Sequence, residues 1–309
     1  MAAIIPLSAA RSSEAASAPP AAVMPAVAVH APEPPEPAPP AGGGWLRASG
    51  PNPRAQAVAR QLVAALAGLL VLVALWSALA AGTRLPGPGA TWVSAVELFS
   101  DPFYRNSPND QGIGWNVLAS LRRVALGFGA AALVGIPLGF VIGRFRFLGD
   151  AAGPVISLLR PVSPLAWFPI GLATFHSTSD AAIFIIFITS LWPTVLNTAL
   201  GVSSIPESHR QVARVFQFSR WTYLTRVVMP FSLPYVLTGL RLSIGIAWLV
   251  IVAGEMLSGG TGIGFFVWDS WNALNLERVI SALLLIGIVG LILDRGITWI
   301  ADRTAYEMV

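Results

Sequence analysis

Glu255 stands near the end of a long apolar run, and an ionisable group in such a place is a functional hypothesis by default: a proton carrier, a gate or a packing partner. The chain offers little other chemistry. Its three histidines, His30, His176 and His209, are scattered, so no His, Asp and Glu cluster points to acid–base work or to a metal site. Gly260, Gly262 and Gly264 resemble a phosphate-binding loop in spacing only, because no lysine follows them and all 19 basic residues of the chain are arginine. Without a P-loop lysine the chain is not expected to hydrolyse a nucleotide itself. It has no cysteine, hence no thiol nucleophile, thiolate ligand or disulfide. The glycines read as a flexible external turn. Glu255 reads as a gate or packing group that reaches water from a helix end, and Arg241 as a structural residue pairing with Glu207 or a lipid phosphate.

The elements that position these residues follow from composition. Of 309 residues, 55% are hydrophobic and 11% charged, far from the roughly one quarter charged residues of soluble domains, so an all-α integral membrane protein is expected. Residues 1–58 are rich in Ala and Pro without an apolar period and read as a disordered tail; 59–309 form the membrane domain. The expected crossings are 61–82, 124–142, 153–175, 181–200, 233–257 and 279–300. The third is interrupted by Pro154, Pro161, Pro164 and Pro169. Only if it crosses do Arg210, Arg214, Arg220 and Arg226 fall on the cytoplasmic side, so it is counted as a broken span. Six crossings put both termini in the cytoplasm. Arg122 and Arg123 fall on the outer side, where they greet an anion or anchor a helix among headgroups. The basic balance is explained by this topology rather than by nucleic acid.

Between the fourth and fifth crossings lies the most polar stretch of the second half, ESHRQVARVFQFSRWTYLTRVVMP, Glu207 to Pro230, within a loop of residues 203–230. At helical spacing Val212, Val215, Phe216, Leu224, Val227 and Val228 supply an apolar surface, and Arg210, Arg214 and Gln217 fall on another face. Ser219 is placed to cap a second short helix. A solvated loop or an interfacial helix would share these features.

The loop resembles the EAA loop of the permease subunits of ABC importers, whose pattern is E-A-A, three residues, G, nine residues, I-x-L-P. In this chain the pattern falls on Gln211, Val212 and Ala213, then Gln217, then Val227, Met229 and Pro230. The spacing is kept, but Gln211 and Gln217 stand where the pattern has Glu and Gly, and glycine permits a backbone conformation that glutamine resists. Across residues 83–300 the tract LPGPGATWVSAV resembles the segment that follows the first helix in the taurine, sulfonate and nitrate branch of those permeases, and the tracts LASLRRVALGFGAAALVGIPLGFVIG, LRPVSPLAWFPI, IFIIFITSLWPTVLNTALGV and GIGFFVWDSWN are similar to its nitrate, nitrite and cyanate group. The resemblance implies a type I ABC importer permease of about six membrane helices in the inner membrane, importing nitrate, with taurine, sulfonates or cyanate as alternatives. It implies two cytoplasmic ATPase subunits that carry ATP and Mg, an extracytoplasmic binding protein and a second permease copy, most simply a homodimer. No cofactor would be held by this chain. The coupling elements would be Arg210, Arg214, Val215, Phe216 and the pattern residues above. Thr189, Ser190, Asn197 and Glu255 are candidates for the translocation path. The rivals are a proton-coupled secondary transporter using Glu255 and a membrane-embedded enzyme.

Overall fold

The computed structural model describes residues 53–107 and 110–306. Most of the expected tail, 1–52, lies outside the described residues. The chain divides into two units, Met1–Arg60 and Gln61–Val309, and the second holds the crossings and the loop. The described residues form eleven α-helices and, apart from one isolated bridge between Arg105 and Gln111, no strand. They are α1 (Pro53–Gly82), α2 (Pro88–Ser100), α3 (Ile113–Arg144), α4 (Arg146–Leu159), α5 (Phe168–Phe175) and α6 (Thr178–Ser203). After these come α7 (Glu207–Val215), α8 (Arg220–Tyr223), α9 (Met229–Ser258), α10 (Ile263–Asn272) and α11 (Leu276–Tyr306). A π turn, Leu224–Val228, joins α8 to α9, so helical backbone runs unbroken from Arg220 to Ser258.

Five helical runs are long and apolar enough to cross a membrane: α1, α3, α6, Arg220–Ser258 and α11. The sixth crossing is broken, as the prolines suggested. Helix α4 and the segment Pro164–Phe175 meet at 95°. The packing of α3 on α6 shows what this elbow is for. Gly127 faces Ile186, Gly135 faces Thr194, Gly139 faces Thr198 and Gly143 faces Val202, a constant offset that makes the two helices parallel. Parallel neighbours in one chain need a connection that returns the full depth of the first. Helix α4 packs through Ile156 on Leu191 and Val195, and α5 packs through Phe168 on Ala181 and Ile185, so together they climb the length of α6.

The contact between α3 and α6 is made by small residues at every fourth position of α3: Gly127, Ala131, Gly135, Gly139 and Gly143. In lipid, where burying a leucine gains nothing, helices associate by close backbone approach, and small residues permit it. A Cβ at Gly139 would lie 2.5 Å from the Cβ of Thr198. Gly139→Val is therefore expected to force the helices apart at a cost of ~1–3 kcal/mol, read as a lowered unfolding temperature of the detergent-purified protein. Gly129, which faces no neighbour, is the control.

Helix α9 runs antiparallel to α6, with Gly239 against Asn197 and Gly201 against Tyr235. Their hydroxyls fasten the pair: Thr194 Oγ1 and Ser243 Oγ are 2.8 Å apart, and Ser243 donates to the Ser190 carbonyl at 2.8 Å. Helix α11 runs antiparallel to α9, held by the Trp248 indole donating to the Ile286 carbonyl at 2.9 Å. Helix α2 packs on α11, where Ser281 donates to the Thr91 carbonyl.

Candidate functional site

Helix α7 begins after Pro206 and ends in a Schellman turn. The Phe218 amide donates to the Ala213 carbonyl at 2.9 Å, and the Gln217 amide to the Arg214 carbonyl at 3.0 Å. That turn requires a left-handed residue, and Gln217 supplies it with φ 50°. The conformation expected of a glycine is thus kept by a residue that resists it, because two hydrogen bonds and the capped helix behind it hold the backbone in place. The left-handed region costs a side-chain-bearing residue ~1–2 kcal/mol. Gln217→Gly is accordingly expected to be neutral or stabilising by up to ~1 kcal/mol after glycine's entropic penalty, whereas Gln217→Val should destabilise the loop. Thermal unfolding of the two variants checks both signs.

Ser219 caps α8 as its type suggested, its hydroxyl accepting from the Thr222 amide at 3.1 Å. The apolar positions of the loop divide in two. Leu224, Val227 and Val228 turn inwards onto Val202, Ile205 and Phe140. Val212, Val215 and Phe216 point outwards and are 53%, 78% and 70% exposed. The single apolar surface expected from the spacing does not exist, because the turn at Gln217 breaks the helical register between α7 and α8. Of the pattern residues, Gln211 and Met229 are exposed, Ala213 is buried beneath α7, and Pro230 opens α9.

Arg210, Arg214 and Gln217 share a face, as their spacing predicted, and line one cavity of about 1080 Å³ between the loop and the junction of α3 with α4. Arg144, Arg146 and Arg220 line it too, with Asp150 the one carboxylate. Glu207 lies 3.9 Å from Arg210 and 3.6 Å from Arg214, pairs exposed enough to contribute little stability. The loop therefore presents an uncovered apolar ridge beside a strongly cationic hollow.

At the opposite end of the helices sits a buried polar knot. The Glu255 side chain is fully buried and accepts from Arg123 Nη1 at 2.7 Å, Ser120 Oγ at 2.8 Å and the Gly264 amide at 3.0 Å. Arg123 also donates to the Thr261 carbonyl at 2.7 Å and to Ser179 Oγ at 3.2 Å. The Gly262 amide donates to Asn116 Oδ1 and the Ile263 amide to Ser120 Oγ, both at 2.9 Å. The start of α10 is thus capped by side chains of α3 and α9, with a carboxylate at its positive end.

Three expectations fail here. Glu255 does not reach water, because α3 and α10 close over the end of α9. Arg123 neither faces an anion nor anchors in headgroups, since its guanidinium is spent on Glu255, Thr261 and Ser179. The glycine turn is not a loose one: Gly262 adopts φ 138°, and a Cβ there would fall 2.2 Å from the Glu255 carboxyl carbon. These residues stand on α3, α6, α9 and α10, so no local pattern links them.

The remaining candidates are placed as follows. Ser190 is buried between α6 and α9; Thr189 and Asn197 are half-buried and donate to the carbonyls of Ile185 and Pro193 in their own helix. Arg241 does not pair with Glu207. It forms a two-pronged bond with Asp294 of α11, Nε to Oδ1 at 2.7 Å and Nη2 to Oδ2 at 2.9 Å. His176, in a left-handed conformation, ends α5, and Ser177 caps α6.

A family model described as "Binding-protein-dependent transport system inner membrane component" matches residues 135–306. The chain is 43% identical to the nitrate import permease protein NrtB of Synechocystis sp., over 81% of this chain and 91% of that protein. It is 46% identical to NrtB of Leptolyngbya laminosa, over 75% and 84% respectively. It is 44% identical to the bicarbonate transport system permease protein CmpB of Synechococcus elongatus, over 76% and 86%. In fold it is similar to a chain of the MetNI methionine ABC transporter in an inward-facing conformation, with TM-score 0.55 and 13% identity over 64% of this chain and 96% of that one. A chain of an amino acid ABC transporter crystallised with histidines gives TM-score 0.51 at 12% identity, over 70% and 97%.

Proposed function

We propose that this chain, which belongs to the family of binding-protein-dependent transport system inner membrane components, forms the membrane path of an ATP-driven importer of nitrate. The observation that carries the reading is the extent of likeness to two nitrate import permeases, 43% and 46% identity over at least three quarters of the chain. A second reading, bicarbonate, is favoured by the 44% identity to CmpB. Nitrate and bicarbonate are both small, planar, singly charged oxyanions. A path that holds its cargo weakly has little means to tell them apart, so the choice falls to the protein that delivers it.

The chain lacks a lysine for nucleotide phosphates, so ATP and Mg are held by partner subunits. In this reading the ridge of Val212, Val215 and Phe216 seats in a groove of a cytoplasmic ATPase. The arginines around it steer and orient that partner. Two copies of the chain face each other around the path, with both termini and the loop of residues 203–230 in the cytoplasm. Closing of the ATPase pair moves the two loops together and switches the path from inward-open to outward-open. The switch is driven because nucleotide and loaded binding protein each favour a different state.

The test is uptake of isotope-labelled nitrate and, separately, labelled bicarbonate at micromolar supply, in cells lacking the gene and cells given it back. Nitrate uptake that falls on deletion and returns with the gene is the expected result. A bicarbonate response alone would replace nitrate with the second reading.

A further inference from the structure

We propose that the cavity between the loop of residues 203–230 and the junction of α3 with α4 binds the phosphate of an anionic phospholipid of the inner leaflet. The choice of leaflet rests on the importer reading above, which puts the loop on the cytoplasmic side.

The cavity lies where three crossing runs end. Its lining includes Arg144, the last residue of the first of them, Ser203, the last of the second, and Arg220, the first of the third. Exposed aromatic side chains stand beside these arginines: Phe145 and Phe147 alternate with Arg144 and Arg146, and Trp221 follows Arg220. Rings and arginines so mixed are at home at the level of lipid headgroups. Deeper in, the lining turns apolar, with Ile142 of α3 and Leu196 and Leu200 of α6, and it reaches ~10 Å back along α6 from Ser203.

The charged lining is five arginines against one carboxylate, Asp150. Arg210 and Arg214 reach Glu207 only at 3.9 and 3.6 Å, and Arg144, Arg146 and Arg220 have no acidic partner among the described residues. The Nε of Arg210 is buried without a hydrogen-bond acceptor. A buried donor left in that state is rare in folded proteins. A phosphate supplies the oxygens, and its shape matches the guanidinium fork. Basic pockets between membrane helices on the cytoplasmic side take anionic headgroups by this chemistry.

Two other occupants fit less well. At ~100° per residue, Val212 and Val215 project roughly 120–180° around α7 from Arg210 and Arg214, so an ATPase seated on the ridge lies across the helix from the cavity. A free phosphate ion would use the arginines alone, leaving most of about 1080 Å³ and all of its apolar depth unused. A phospholipid uses both, its chains lying along Leu196 and Leu200. Its headgroup then joins arginines of α3 and α4 to arginines of α7 and α8 and offsets the repulsion among them. The loop is thereby tied to the membrane helices it has to move.

The experiment is native mass spectrometry of the full chain, purified in detergent, stripped of lipid and titrated with phosphatidylglycerol or, as the headgroup without net charge, phosphatidylcholine. The wild type is expected to bind phosphatidylglycerol at least tenfold more tightly. Arg210→Gln with Arg214→Gln should abolish that preference, and so should Arg144→Gln with Arg146→Gln, a separate test should the loop variant misfold. Arg295→Gln with Arg303→Gln, arginines of α11 towards the same end of the bundle that do not line the cavity, should keep it. Preference retained by both cavity variants, or lost equally in the α11 variant, would overturn the site. Displacement of the lipid by millimolar glycerol 3-phosphate would assign the cavity to a soluble phosphate and overturn the lipid. The leaflet is tested apart, with Ser208→Cys in a chain that has no cysteine of its own. It should resist a membrane-impermeant maleimide added outside intact cells; labelling there would overturn the importer reading and the leaflet with it, while lipid binding in detergent stands or falls on its own result.

Discussion

Replacing Arg123 by methionine is expected to destabilise the folded chain by ~3–5 kcal/mol, the usual consequence of stranding a buried charge by removing its partner. Glu255 is fully buried, and its other donors, Ser120 and the Gly264 amide, cannot neutralise it. The damage spreads, because Arg123 also ties down the Thr261 carbonyl, and with it the turn that starts α10. Thermal unfolding of purified protein, and the yield of monodisperse protein from membranes, both report the loss. Arg123→Met combined with Glu255→Leu should recover a large part of it, since a matched apolar pair leaves no charge behind. The recovery should be incomplete, as the Gly264 amide loses its acceptor. A loss under ~1 kcal/mol for the single variant would mean that the knot is not what joins α3, α9 and α10.

The second large effect is expected on the outside of the protein, with stability left alone. Val215 and Phe216 are 78% and 70% exposed and touch little of their own chain, so Val215→Ser with Phe216→Ala should fold as the wild type does. If the ridge seats in an ATPase groove, these two are its anchors. Truncation of anchors of this kind costs at least ~2 kcal/mol of binding, equivalent to roughly thirtyfold in affinity. Anion uptake should fall accordingly, and the ATPase should detach in pull-down from detergent extracts. Arg214→Glu, which reverses a charge in the hollow beside the ridge, should weaken the same association and increasingly so at low salt. Uptake that survives the double variant would remove the loop from coupling.

These two results separate what was legible in the sequence from what was not. Local patterns did well where the cause is local. The crossings follow from apolar length, the break at residues 160–163 from clustered prolines, and the cap at Ser219 from its type and place. Charge parity found the broken crossing even though its hydropathy is interrupted. The knot was illegible because its members stand on four helices and nothing local links Arg123 to Glu255. The same holds for Arg241 and Asp294: periodicity says which way a side chain points but not which helix it will meet. Gln217 is a third kind of case. Its identity argued against a left-handed turn, and the turn forms because the hydrogen bonds of Phe218 and Gln217 outweigh a local preference of ~1–2 kcal/mol. The small-residue stripe of α3 was there to be read, every fourth position from Gly127 to Gly143, and marks the helix that needs the closest neighbour.

That stripe sets a schedule for synthesis. The residues that cover it on α6 come about sixty positions later in the chain, and at ~5–20 residues per second the ribosome takes roughly 3–12 s to make them. During that interval α3 sits in the bilayer with its glycine face uncovered, next to a connector that must itself bend by 95° and insert before α6 can arrive alongside. The seam between α3 and α6 is thus a late joint in the birth of the protein, and a nascent chain stalled before Thr178 carries a sticky helix with no partner of its own. Quality-control proteases and insertion factors of the membrane would meet this chain at that stage, so substitutions in the elbow that slow insertion should lower its abundance without altering the finished transporter.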